Sequence, residues 1–168
     1  ERALSEPVAY IMRSILKDVV RRGTATKALK LGRTDIGGKT GTTNDQMDAW
    51  FSGFNSGLVA TAWVGFDQLK PLGRREAGSV AALPMWMYFM ETALDSVPEV
   101  EPSQPQSVVE RRIDLKTGRI VASDNRGDGT STELFAANNL PDTATVTGSA
   151  ATTATGGTAP QASEESLF

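Results

Sequence analysis

DIGGKTGTTND, residues 35–45, is the stretch on which the interpretation of the whole chain depends. It packs three glycines, one lysine and three threonines into eleven positions. Glycines let a backbone approach a ligand closely, and the lysine and hydroxyl groups supply hydrogen-bond donors. The composition of this stretch therefore predicts a site that recognises an anion or a carbonyl group.

The overall composition limits the chemistry that this site can use. The chain has 168 residues, 39% of them hydrophobic and 22% charged, which is typical of one globular domain with tails. Its net charge of −3 gives no support for nucleic-acid binding, which needs a basic face. Histidine and cysteine are both absent, which excludes a Ser-His-Asp triad, a cysteine nucleophile and the commonest zinc ligands. Any nucleophile must therefore be activated by a lysine, a carboxylate or another chain.

The flanking sequence predicts two helices around an antiparallel meander. Residues 5–22 carry apolar side chains at helical spacing, with Ser5 as the expected N-cap. Alternating patterns over 47–54 and 58–67 predict two strands joined by a turn, and an extended 36–43 would add a third. Ser79 is expected to cap a second helix that ends near residue 95. We interpret its aromatic and methionine side chains, which include Tyr88 and Phe89, as core.

Three short motifs of penicillin-recognising serine enzymes, Ser-x-x-Lys, Ser-x-Asn and Lys-Thr-Gly, all occur in the chain. Most matches are rejected. Ser14 and Lys17 fit the first motif, but the helical pattern predicts that Lys17 lies on the surface, opposite the apolar stripe. The Ser-x-Asn match at 123–125 follows both Lys-Thr-Gly copies, in ordinary turn chemistry. The copy at Lys116 is explained by a turn, so only the copy at Lys39 remains.

The sequence around Lys39 carries a family resemblance. GKTGTTND at 38–45, DAWFSG at 48–53 and WVGFD at 63–67 together closely resemble the C-terminal part of the transpeptidase domain of class A penicillin-binding proteins. The resemblance runs from the first helix into the region after residue 107. It implies an α+β fold, the β-lactamase/transpeptidase-like fold of penicillin-recognising serine enzymes, in which an antiparallel sheet packs with helices. Only the C-terminal part of that fold would be present here.

The resemblance also implies a function. The parent would be a bifunctional peptidoglycan synthase with a glycosyltransferase half, on the periplasmic face of the bacterial inner membrane and held by a single-pass anchor. A serine of its transpeptidase half attacks the penultimate D-alanine carbonyl of a stem peptide, releases the last D-alanine and passes the acyl group to an amine of a neighbouring strand. β-Lactams acylate the same serine. No cofactor and no metal are implied.

Four residues of this chain match the family's Lys-Thr-Gly motif and the position after it. The resemblance implies that Lys39 supplies positive charge to the active-site hydrogen-bond network and to the substrate's terminal carboxylate. The hydroxyl groups of Thr40 and Thr42 would bind that carboxylate or its β-lactam counterpart, and the backbone N–H of Thr42 would form half of the oxyanion hole. Gly41 would let the substrate lie against the strand as an added β-strand.

The chain departs from the family pattern because the nucleophile and Ser-x-Asn motifs are missing in usable form. No apolar run is long enough to span a membrane, and Glu1 is not an initiator methionine, so we expect a C-terminal piece of something longer. This chain alone is expected to be inert, with an upstream fragment of the same protein carrying the serine. Its other expected partners are stem peptides and β-lactams, with no nucleic acid, and with the membrane only through the missing anchor.

The expected domain organisation has four parts. Residues 1–97 form the C-terminal part of the transpeptidase domain, 98–107 a linker rich in proline and acid, and 108–140 a small terminal β region. In that region, strands at 108–113 and 119–121 are expected around a turn at 114–118. Residues 141–168, with little apolar mass, are expected to be a disordered tail.

Two other functions compete with the transpeptidase. A phosphate-binding loop would end in Gly38-Lys39-Thr40, but it requires glycine at position 33, where the chain has Arg33, and a helix after the lysine. A non-catalytic interaction module, with a vestigial Lys39 strand, is the third interpretation.

Overall fold

The computed structural model describes residues 2–144. Its helices and strands, in chain order, are α1 (Glu6–Arg22), β1 (Gly37–Thr42), β2 (Ala49–Phe54), β3 (Val59–Val64), α2 (Ala82–Ala93), β4 (Val108–Asp114) and β5 (Thr130–Ala136). Short 3₁₀ turns follow α1 at Thr26–Leu31 and follow β1 at Asn44–Gln46. None of the helices within the described residues is long and apolar enough to cross a bilayer.

The predicted antiparallel meander is present as a sheet in the order β1-β2-β3. Lys39 pairs with Ser52, and Ser52 pairs with Thr61. Because side chains alternate between the two faces of a strand, Phe51 faces the opposite side from Ser52 and is fully buried. The hydrophobic face of the sheet is therefore the one that carries Phe51.

Helix α2 covers this face. The Trp86 ring meets the Phe51 ring edge-on, with 4.9 Å between the centroids. A Cβ on Gly53 would lie 2.5 Å from the Trp86 ring, so glycine is required at that position of β2. Ala82, Leu83 and Met90 are the other fully buried residues of the helix. Helix and sheet thus share one core, built around the Trp86–Phe51 contact.

The predicted helix α1 is present, but two details of its prediction are wrong. Ser5 occupies the N-cap position without a side-chain capping hydrogen bond. Lys17, predicted to lie on the surface, is only 6% exposed and forms an ion pair with Glu101. Glycine at position 37 lets the helix backbone approach β1 closely there, since a Cβ would lie 3.1 Å from the Lys17 amide nitrogen. Lys17 therefore lies where α1 approaches β1, and its ammonium pairs with the segment that carries Glu101.

Helix α2 also corrects the sequence prediction. It begins at Ala82 with Ala81 at the cap position, so Ser79 is not the cap. In the turn before the helix, Val80 and Ala81 both donate to Ala77 O, and the Leu83 amide of the first helical turn donates to Gly78 O. Tyr88 and Phe89, predicted in the core, are 72% and 52% exposed. Their side of the helix faces away from the sheet.

The small terminal β region pairs differently from the prediction. β4 runs antiparallel to β5, and the predicted return strand at 119–121 is reduced to single bridges that Ile120 makes with Ile113 and Thr143. The turn at 114–118 forms, with the Asp114 carboxylate accepting two backbone N–H groups and Gly118 at a φ of 69°. The chain leaves β4 through this turn and reaches its main partner strand only at residue 130.

The start of the predicted linker 98–107, with Val97 just before it, contacts the segment that precedes β1. Arg33 donates to the carbonyl oxygens of Val97 and Pro98. The carboxylate of Glu99 accepts hydrogen bonds from the backbone N–H and the hydroxyl of Thr34, at 2.9 and 2.6 Å. The domain boundaries remain a prediction. The predicted tail 141–168 lies outside the described residues from 145 onward, while Ala144 N donates to Ile120 O.

Candidate functional site

Strand β1 forms one edge of the meander. It pairs with β2 and, within residues 2–144, with no other strand. The amide of Thr43 donates to Asp48 O, which marks a hydrogen-bonded pair just beyond the end of β1. Because hydrogen-bonded and non-bonded pairs alternate along antiparallel strands, the N–H groups of Thr42 and Thr40 point away from β2. β1 therefore presents, on its outer side, backbone donors and acceptors that β2 does not use.

Lys39 places its charge at this free edge. Its ammonium donates to the carbonyl oxygen of Thr40, with 2.8 Å between Nζ and O. Because Thr40 is in a non-bonded pair, that carbonyl also points away from β2. The Thr40 hydroxyl lies 3.5 Å from the ammonium and 2.9 Å from the Thr24 hydroxyl. The structure therefore brings one positive charge and two hydroxyl groups together on the outer side of β1.

Gly41 and Thr42 complete the same strand. A Cβ on Gly41 would lie 3.2 Å from Cβ of Trp50, its cross-strand partner, so the lack of a side chain keeps this position open. The Thr42 side chain is exposed, and its hydroxyl accepts a hydrogen bond of 3.0 Å from the backbone N–H of Gly78. All four predicted site residues thus occupy consecutive positions of one edge strand.

The segment after β1 holds a feature that the sequence analysis missed. Asp45 and Gln46 both adopt positive φ, 57° and 56°, a conformation that non-glycine residues rarely adopt. The segment is closed by the Thr43 hydroxyl, which accepts a 2.8 Å hydrogen bond from the Asp48 amide. The Asp48 carboxylate in turn accepts a 2.9 Å hydrogen bond from the Trp63 indole. The end of β1 is therefore tied across the sheet to β3.

The rejected motif copies lie in other surroundings. Lys17 is engaged by Glu101, and Lys116 belongs to the turn at 114–118. Lys39 lies inside a strand that continues to Thr42, whereas a phosphate-binding loop requires a helix to begin after its lysine. The phosphate-loop interpretation is therefore wrong.

A buried ion pair anchors the start of β1. Asp35 is fully buried, and Arg33 donates to both of its carboxylate oxygens at 2.9 and 2.8 Å. The backbone carbonyl of Asp35 accepts a 3.1 Å hydrogen bond from Arg13 of α1. The pairing of Arg33 with Asp35 was not predicted from the sequence, although the pattern Arg-x-Asp just before the strand is a usable signal. The pair fixes the chain two residues ahead of the site strand.

The Asp35 carboxyl has a lowered pKa. Burial by itself raises this pKa, but the hydrogen bonds and charge of Arg33, with backbone N–H groups of Val100 and Asp35, outweigh it and hold the pKa below its ordinary value of 3.8. A carboxyl whose pKa is lower in the folded state stabilises the fold above its unfolded pKa. That contribution is lost as the pH falls through the folded pKa.

We therefore expect the stability of the complete protein to fall at pH values below about 4 in part because Asp35 becomes protonated. Urea denaturation measured between pH 7 and pH 3 provides the test. Asp35→Asn cannot titrate, so its urea midpoint should change less with pH than that of the wild type. Parallel pH profiles for the two proteins would contradict the role of this carboxylate.

Comparison with known proteins gives one consistent result. No known family profile matches the chain. Penicillin-binding protein 1A of Pseudomonas aeruginosa is 51% identical over 127 residues, which are 76% of this chain and 16% of that protein. Penicillin-binding protein 1A of Neisseria gonorrhoeae is 48% identical over 108 residues, 64% of this chain and 14% of that protein.

The structural comparison agrees. A crystal structure of penicillin-binding protein 1A from Haemophilus influenzae superposes with a TM-score of 0.75 and 40% sequence identity, covering 83% of this chain and 22% of that one. The α+β fold class predicted from the sequence is thereby confirmed. The chain spans less than a quarter of the length of each of these three relatives.

Proposed function

The chain belongs to the penicillin-binding protein 1A family, as a homologue of the C-terminal part of its transpeptidase domain, and on this premise we propose that it forms one wall of the active site of a peptidoglycan D,D-transpeptidase. The observation that carries the proposal is the free edge of β1, where outward backbone groups and the Lys39 ammonium lie together. An extended peptide can add to such an edge as a further strand.

In the proposed reaction, a serine of the upstream part attacks the carbonyl of the penultimate D-alanine. The C–N bond to the last D-alanine breaks, and that residue leaves with the proton that the serine hydroxyl has lost. An amine of a second stem peptide then attacks the acyl-serine ester and regenerates the serine. A β-lactam undergoes only the acylation step. Its amide nitrogen stays attached to the acyl group when the ring opens, so no leaving group departs.

Lys39 and Thr42 carry the electrostatic part of this proposal. The outward N–H of Thr42 lies where an acyl oxygen of an added strand would bind, so it can donate to the oxyanion. Removing one such donor in comparable enzymes costs about 10²- to 10³-fold in rate. The Lys39 ammonium, now bonded to the neutral carbonyl of Thr40, would bind a substrate carboxylate more strongly, because charge-assisted hydrogen bonds are about twice as strong as neutral ones.

Thr40 and Gly41 complete the proposed subsite. The Thr40 hydroxyl lies beside the Lys39 ammonium and can share the same carboxylate. Gly41 keeps the strand free of a side chain where the substrate backbone would lie. Each of the four residues thus has a distinct proposed role.

The nucleophile is proposed to lie in an upstream part of the same protein, which would pack on this chain. Apolar side chains on one side of α1 support this, since Val8, Met12 and Ile15 are 43%, 43% and 52% exposed. Val59 of β3 is 75% exposed, and β3 pairs within residues 2–144 with β2 alone. Exposed apolar stripes and open strand edges of this kind mark surfaces that another segment covers.

This packing predicts a large effect of a charge on α1. Ile15→Asp should destabilise the complete protein by at least about 2 kcal/mol, because a covered aspartate loses its hydration without gaining a partner. Leu115→Asp, at a 60% exposed position of the 114–118 turn, is the matched control and should change the free energy of unfolding by no more than about 0.5 kcal/mol. Equal effects of the two substitutions in urea denaturation would argue against a covered α1.

The remaining features of the parent are proposed on the same basis. The relatives extend far beyond the matched region, which leaves room for the glycosyltransferase half and for an anchor that holds the protein at the periplasmic face of the inner membrane. The direct test of the proposed function is covalent labelling of the complete protein by a labelled penicillin. A complete protein that binds no β-lactam would favour the alternative of a non-catalytic interaction module.

A further inference from the structure

We propose that Gly78 is a positioning residue that orients the Thr42 hydroxyl to donate its proton to the ligand carboxylate. The inference rests on the proposed function, which places the carboxylate at Thr42, and it extends that function to the segment between β3 and α2. Gly78 is buried, 36 residues away in sequence, and outside the motif that the sequence analysis identified.

The direction of one hydrogen bond carries the argument. The Gly78 backbone N–H donates to Thr42 Oγ1 at 3.0 Å, so the hydroxyl oxygen is the acceptor in this contact. A hydroxyl has one proton to donate and two lone pairs to accept with. With one lone pair bound to the amide, the hydroxyl proton must point away from Gly78. On an exposed side chain beside the free edge of β1, that proton is available to an incoming anion.

Only glycine permits this contact. A Cβ at position 78 would lie 2.3 Å from Trp50 O and 2.5 Å from Gly41 O, distances that real Cβ atoms do not adopt. The obstructing atoms are backbone oxygens of β1 and β2, which cannot rotate aside as a flexible side chain can. A side chain at 78 must therefore push the segment away from β1 and stretch or break the bond to Thr42.

The same glycine also connects the site to α2. Its carbonyl oxygen accepts a 2.8 Å hydrogen bond from the Leu83 amide in the first turn of the helix, while its N–H reaches Thr42. Leu83 is fully buried in the core. The Thr42 hydroxyl is thus oriented by a backbone group whose own position is fixed by core packing, which is how a preorganised donor is held.

The experiment measures whether the complete protein reacts faster with a ligand that carries a free carboxylate than with one in which the carboxylate is blocked. Second-order acylation rate constants are measured with benzylpenicillin and with its methyl ester, in which the carboxylate is blocked. The wild type should acylate faster with the acid. Gly78→Ala should lose about tenfold of the rate with the acid and change the rate with the ester less than twofold, because the charge-assisted bond alone is weakened. Gly57→Ala, where an added Cβ meets no atom within 4 Å, is the matched control and should keep the full preference.

Two further variants make the result decisive. Thr42→Val removes the hydroxyl and should abolish the part of the preference for the acid that Gly78→Ala abolishes. Adding Gly78→Ala to Thr42→Val should cause no further loss of that preference. Thr42→Ser keeps a hydroxyl that Gly78 can still orient, so it should retain the preference within about twofold. The acid-to-ester ratio does not depend on how much of a preparation is folded, and the Thr42→Ser result stands even if Gly78→Ala yields no folded protein.

The outcomes separate the two levels of the proposal. A wild type without preference for the acid would overturn the carboxylate role of Thr42, and this inference with it. A wild-type preference that Thr42→Val abolishes but Gly78→Ala retains would overturn the inference alone. Equal losses with acid and ester in Gly78→Ala would also overturn it, since they indicate a general structural role. Loss of the preference in Thr42→Ser would assign the orientation to the branched threonine side chain instead.

Discussion

Lys39→Ala is expected to slow acylation of the complete protein by a labelled penicillin about 10²- to 10³-fold, the cost of removing one preorganised charge stabiliser. The ammonium lies on the free edge of β1, 2.8 Å from a carbonyl oxygen that points the same way. Alanine keeps the strand but leaves the ligand carboxylate and the reacting centre without that charge. The rate constant for covalent labelling, followed by gel fluorescence over time, measures the effect.

The second Lys-Thr-Gly copy provides the control. Lys116→Ala changes the same residue type in the same three-residue sequence, but in the turn that follows β4, and it should leave the labelling rate unchanged. Normal labelling of Lys39→Ala would remove the proposed role of the edge strand. Peptide mapping of the labelled protein adds a second check, because an adduct on Ser14 would place the nucleophile on α1 and contradict its assignment to an upstream part.

Asp35→Ala is expected to destabilise the protein by about 3 to 5 kcal/mol, the range found when one partner of a buried ion pair is removed. The carboxylate is fully buried and accepts both hydrogen bonds of the Arg33 fork, so its loss leaves a guanidinium without its counter-charge. Urea denaturation of the complete protein, followed by tryptophan fluorescence, measures the loss through the buried Trp86.

Asp67→Ala is the matched control for this prediction, because Asp67 is exposed and the same substitution there should cost no more than about 0.5 kcal/mol. Arg33→Ala should reproduce much of the destabilisation, and the double variant should be less destabilised than the sum of the two single ones, since both remove the same interaction. Additive losses would show that the two side chains act independently and would refute the pair as the anchor of β1.

The sheet was predictable because its signals are local. Alternation over residues 47–54 and 58–67, with a turn between them, predicts two antiparallel strands, and the structure pairs them with Trp50 opposite Trp63. The strand at Gly37–Thr42 was expected over residues 36–43 through the family resemblance, and not through propensity, because glycine is depleted in strands. The placement of Lys39 and Thr42 on one strand was therefore predictable from the sequence and its resemblance.

Two features escaped prediction for one physical reason, which is dependence on distant partners. Lys17 was predicted to lie on the surface because its counter-charge, Glu101, is 84 residues away in sequence and gives no local signal. Gly78 carries no local signal of its contact with Thr42, 36 residues earlier. The exposure of Tyr88 also escaped prediction, because an apolar side chain on a helix is expected in the core, whereas only one side of α2 packs on this sheet.

The open edge of β1 also has a consequence for solubility. Unpaired strand edges can recruit other chains into sheets, and a lysine in the edge strand is one of the devices with which natural proteins discourage this. Lys39 is the charged residue of β1, so the ammonium that we propose to bind the ligand is also expected to repel a second copy of the same edge. Replacing Lys39 with an apolar residue is therefore expected to make the protein more prone to self-association.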